Sequence, residues 1–126
     1  MKKTMILISM IAAAAVASNA ANSAQNWEKV ASKDTGDGTA TWYLDYSTIT
    51  AVRLGKSAWV KQVDERESNN AVSVMKLIFQ CKERQTIRLV ATVTSGGESR
   101  TYDDPKVGYP QPDSPLDKVL TAVCNH

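Results

Sequence analysis

From residue 27 onward, apolar and polar residues alternate with a period of two over much of the chain, the signature of β-strands with one buried face. The stretch TATWYLDY (39–46) sends Trp42, Leu44 and Tyr46 one way and Thr41, Tyr43 and Asp45 the other. Further strands are predicted over 27–31, 57–63, 72–81, 86–94 and 98–102. In 57–63, Trp59 and Val63 share one side, and Ala58 and Val60 the other. Within 72–81, the parity of Ser73, Met75, Leu77, Phe79 and Cys81 is more continuously apolar than that of Val72, Val74, Lys76, Ile78 and Gln80. The first set is therefore expected to face the core. In 86–94 the expected inward residues are Ile87, Leu89, Ala91 and Val93, with Arg88 opposed.

Turn signals separate these runs. Asp37-Gly38 and Gly96-Gly97 are hairpin signals. Residues 47–49 form a turn or bend, 64–71 a polar connection, and 82–85 another turn. Residues 103–113, rich in Pro, Gly and Asp, are expected to be irregular. Five or six strands joined by short loops indicate an antiparallel meander.

The period then changes. In SPLDKVLTAVCNH (114–126), Leu116, Val119, Leu120 and Val123 recur at helical spacing. Ser114 is suited to the N-cap, Pro115 to the first helical position, and Asp117 to a capping box. A helix this short is marginal alone and needs packing to hold it. The expected fold is thus α+β, an antiparallel sheet with a C-terminal helix on one face.

The chain has two cysteines, Cys81 on the core parity of its strand and Cys124 at the edge of the helix face. Their positions predict a disulfide fastening helix to sheet. It closes a loop of about 43 residues, which the chain-entropy model values at about 4 kcal/mol. A redox pair ordinarily has closer spacing, and a metal site needs more ligands than two thiols.

An exported protein fits this chemistry. Lys2 and Lys3 precede an apolar stretch, Met5 to Val16, and Ser18-Asn19-Ala20 supplies small residues at a cleavage site. Residues 1–20 read as a signal peptide and 21–126 as a single domain. No cysteine lies near the cleavage site to accept a lipid, so no membrane anchor is expected after cleavage. Removing Lys2 and Lys3 leaves 13 basic against 13 acidic residues, a balance that argues against a nucleic-acid partner.

Candidate chemistry is sparse. The single histidine is His126, at the end of the sequence. Asp34 and Asp37 lack the further oxygen ligands of a calcium loop. Asp64-Glu65 and Asp103-Asp104 are paired carboxylates in expected loops. No catalytic residue, metal site or cofactor is assigned. Lys82, Arg84 and Arg88 cluster around one hairpin and are the candidate ligand-binding residues, suited to an acidic or sulfated partner. Trp27, Trp42, Tyr43, Tyr46 and Trp59 fall in the first three strands. Any of them left at the surface would suit protein or glycan contact.

Several segments taken in order, NWEKV, TWYLDYSTI, AWVKQVD, SVMKLIFQC, YPQPDS and VLTAVC, resemble the surface-adhesin E family over essentially the whole of residues 21–126. The resemblance implies a disulfide-fastened antiparallel sheet and helix. It also implies a non-catalytic binding protein of the cell exterior, with extracellular-matrix or serum proteins as partners and a capacity to form homodimers. The lack of a lipid-accepting cysteine favours the periplasm over the cell surface or the medium. A periplasmic enzyme inhibitor or stress-response accessory protein is the alternative function. A hydrolase using Asp103 or Asp104 is the third.

Overall fold

A computed structural model describes residues 26–126. The signal-peptide reading of residues 1–20 lies outside them. The strands are β1 (Trp27–Asp34), β2 (Gly38–Asp45), β3 (Thr50–Val52), β4 (Gly55–Arg66), β5 (Asn70–Gln80), β6 (Gln85–Ser95), β7 (Glu98–Tyr102) and β8 (Lys106–Gly108). One helix, α1 (Pro115–Cys124), follows. All pairings are antiparallel, in the order β1-β2-β4-β5-β6-β7. β3 continues the line of β2 along β4, and β8 continues the line of β7 along β6. The sheet is therefore a meander in which two of the strand positions are interrupted, giving eight segments.

The turn expected at 47–49 is present as a single 3-10 turn at Tyr46–Thr48, β3 lies in a stretch without an expected element, and β8 corrects the irregular chain expected over 103–113. β3 and β8 are three residues long, too short to show a period of their own. Their ladders to β4 and β6 define them. The hairpin from β3 into β4 turns at Arg53-Leu54, and β4 then begins at Gly55, whose φ is +153°. A Cβ there would come 2.1 Å from the Phe79 carbonyl oxygen on β5, so the close approach requires glycine. The expected polar connection 64–71 shrinks to 67–69, because Asp64 and Glu65 pair with Ala71 and Asn70 as ordinary ladder residues. Polar side chains at the strand ends hid a continuous backbone ladder.

The core lies on one face. Leu44, Ala58, Val60, Leu77 and Phe79 of the sheet meet Val119, Leu120 and Val123 of α1, and all eight are buried. The parity expected for β5 therefore holds. The parity expected for β6 holds only in part. Its register shifts where Lys76 pairs with Val90 but Leu77 pairs with Arg88, leaving Leu89 as an extra residue. This β-bulge reverses the facing of everything before it. Ala91 shares the core face with Met75, as expected. Arg88, however, lies on the same face as Leu77, and Ile87 on the opposite face with Ile78.

Helix α1 is fastened at both ends. The Ser114 side chain accepts a hydrogen bond from the Asp117 backbone N–H (3.2 Å), as an N-cap does. The reciprocal half of the capping box is redirected. Asp117 Oδ2 accepts from the Asp113 N–H (3.0 Å), while the Ser114 N–H donates to the Gln111 carbonyl. At the other end, Lys56 Nζ donates to the carbonyls of Val123 (3.5 Å) and His126 (2.9 Å), placing a cation at the helix C-terminus. The Cys81–Cys124 disulfide joins the end of β5 to the last turn, with Cα atoms 5.7 Å apart.

Candidate functional site

Each of the three candidate cations has its own surroundings. Lys82 sits exposed in the turn after β5. Arg84, in the left-handed region at φ 54°, reaches α1. There it donates to the Asp117 carboxylate and to Thr121 Oγ1 (2.9 Å). That ion pair, with the Asp113 N–H, holds the Asp117 carboxyl below its ordinary value. Arg84 thus fastens the helix, while about half of its side chain stays exposed. Arg88 lies on the helix-bearing face, its guanidinium carbon 5.8 Å from the Tyr102 ring centroid. Lys82 and Arg84 share the turn between β5 and β6, and Arg88 lies further along on β6.

The expected loop carboxylates also have ordinary surroundings. Asp34 Oδ1 accepts from the Gly36 N–H (2.9 Å), and Asp37 accepts from Thr35 and Ser68 hydroxyls, so both serve the β1–β2 turn. Asp103 and Asp104 are exposed in the break between β7 and β8. Among the described residues no group of three or more His, Cys, Asp or Glu side chains is arranged to hold a metal ion. The His126 ring lies 5.6 Å from that of Tyr46. The one fully buried acid, Asp45, accepts from the Ser47 N–H (3.0 Å), the Ser47 hydroxyl and the Asn26 N–H (3.3 Å). It closes the turn between β2 and β3.

The feature that stands out is the sheet face opposite the helix. Register places Tyr43, Trp59, Lys61, Val63, Val72, Val74, Lys76 and Ile78 on it, continued by Ile87 and Val90. No described element covers this face. Val72 is 36% exposed, and the rest are partly exposed. At one side Lys61 Nζ lies 5.1 Å from the Trp27 ring centroid and 4.9 Å from that of Tyr43, a cation held over two aromatic rings. Trp42 and Tyr46 instead pack against the core. The aromatic residues of the first strands are thus divided between the two faces. The sequence signal for the uncovered face was present in β5, whose second parity is almost as apolar as its first. A single helix lies on one side of the sheet and so covers only one of the two.

Compared with known proteins, the chain matches no family model, no curated protein and no solved structure. The disulfide is compatible with an exported protein. No helix among the described residues is long and apolar enough to cross a membrane.

Proposed function

We propose that this protein is an exported, non-catalytic binding module that takes a protein partner on its uncovered sheet face. The observation that carries the reading is the partly exposed apolar row of Val63, Val72, Val74, Ile78, Ile87 and Val90, interrupted by Lys76 and bordered by Trp59 and Lys61. Contiguous exposed apolar surface costs solubility and typically marks an interaction site. Aromatic residues at its margin are the side chains that interfaces favour. The resemblance to the surface-adhesin E family supports the same reading and supplies the partner class, an extracellular-matrix or serum protein. The disulfide suits an oxidising compartment such as the periplasm, which this reading favours.

The test uses purified protein with its disulfide intact, laminin and vitronectin immobilised separately, and the substitution Ile78→Lys in the centre of the face. Saturable binding that Ile78→Lys abolishes supports the reading. Absence of saturable binding to either protein removes the partner class. Binding that survives the substitution removes the face. Sedimentation of the same samples reports self-association. A dimer lost with Ile78→Lys, in protein that binds neither immobilised partner, would make this face a contact between copies.

A further inference from the structure

A second site lies on the other side of the sheet. Helix α1 packs over β1, β2, β4 and β5. It leaves the part of that face formed by β6 and β8 uncovered. There a cavity of about 230 Å³ opens beside the first turn of the helix. Sheet order lays out its walls. Trp42 of β2 stands at one end, Met75 and Leu77 of β5 form the middle, and Arg88 of β6 and Lys106 of β8 form the far end. Leu116 of α1 closes it from the helix side.

Three observations give this cavity a chemistry. First, Arg88 Nε is buried and has no hydrogen-bond partner. Buried donors are nearly always paired, so an unpaired guanidinium nitrogen marks an unmet acceptor. The only ion pair among the described residues is Arg84–Asp117, so no carboxylate answers Arg88. Second, Lys106 pairs with Arg88 across the β6–β8 ladder and therefore shares its face, while no acidic residue lines the cavity. Third, the remaining surface is mostly apolar, and Gly108 lies in its lining close against Thr86. A Cβ at Gly108 would come 2.9 Å from Thr86 Oγ1. The β-bulge at Leu89 is what turns Arg88 into this cavity.

We infer that the cavity binds a medium-chain monocarboxylate, the head on Arg88 and Lys106 and the apolar tail along Leu77 and Met75 toward Trp42. The guanidinium fork matches a carboxylate, and such charge-assisted hydrogen bonds are the strong ones. From β6 to β2 is three strand spacings, about 14 Å, which suits an extended chain. Typical small-molecule sites begin at about 300 Å³, so the occupant is short.

The test is an NMR titration of the disulfide-intact protein with octanoate, and with 1-octanol as a neutral probe of the same tail. Octanoate is expected to shift the amides of Leu77, Arg88, Gly108 and Leu116 saturably. Octanol should bind about tenfold more weakly, the scale of one lost charge-assisted hydrogen bond. Arg88→Met should weaken octanoate by a similar factor, with Arg88→Lys between the two. Equal affinity for octanoate and octanol would overturn the inference. So would unchanged octanoate binding in Arg88→Met, or shifts confined to the opposite face around Val74 and Ile78. The two probes on the unaltered protein decide the matter even if Arg88→Met does not fold.

Discussion

The two faces of this sheet are made of similar residues and meet different fates. Phe79 and Ile78 are neighbours on β5. Phe79 is completely buried under α1, whereas Ile78 is only partly buried on the face that nothing described covers. Hydrophobicity alone does not separate them. What separates them is the helix, which can cover one face and is tied to that face by a disulfide, an ion pair and a lysine clamp. The lesson is that an apolar strand residue supports stability on one side of a sheet and is available for recognition on the other.

The sharpest way to break this comparison is to truncate the two neighbours separately. Phe79→Ala should cost about 3–5 kcal/mol, the range for emptying a packed aromatic site. Ile78→Ala should cost about 1 kcal/mol, because part of its surface already meets water. Urea unfolding of both variants measures the difference, and equal losses would mean that the faces are not energetically distinct.

Removing the fastening comes next. Replacing Cys81 and Cys124 together by Ala should cost about 4 kcal/mol, the chain-entropy value for a loop of this length. The loss should appear in unfolding midpoints, with increased exchange of the α1 amides. If those amides stay protected, packing alone holds the cover in place.

Asp45→Ala should cost about 2 kcal/mol by leaving the Ser47 and Asn26 N–H groups without their acceptor. Asp45 shares the parity of Tyr43, so this buried carboxylate limits the uncovered face at one end. Thermal unfolding would report the loss. Backbone shifts confined to residues 46–50 would show that the change is local.

The smallest effect is a pH dependence of the helix attachment. The Arg84 guanidinium holds the Asp117 carboxyl below its ordinary value of 3.8. The folded state therefore releases this proton more readily than the unfolded chain. The stability it contributes is complete above the unfolded value and is lost as pH falls through the lower folded one. Acid titration followed by the α1 amide shifts should show this loss. Asp117→Asn should remove that part of the acid dependence and lower the stability at neutral pH by the same small amount.

Much of the fold was legible in the residues because burial on one face imposes a visible alternation. The strands from Gly38, Asn70 and Gln85, the Gly96-Gly97 hairpin and the helix from Ser114 all carried local signals. So did the cysteine pair, whose two positions fell on facing sides of one interface. Segments β3 and β8 did not, since three residues cannot display a period and only a neighbouring ladder makes them strands. The candidate site was less legible. Lys82, Arg84 and Arg88 are close in sequence, but one meets solvent, one meets the helix, and one is turned by a bulge toward a cavity.

The sequence by itself determined the element types, the meander and the covalent tie, because each rests on contacts or patterns within short stretches or on two unique thiols. Only the tertiary structure decided which apolar face is covered and where Arg88 points. Both depend on register between strands, and a single extra residue at Leu89 reverses the facing of Arg88 without leaving a mark in the local pattern.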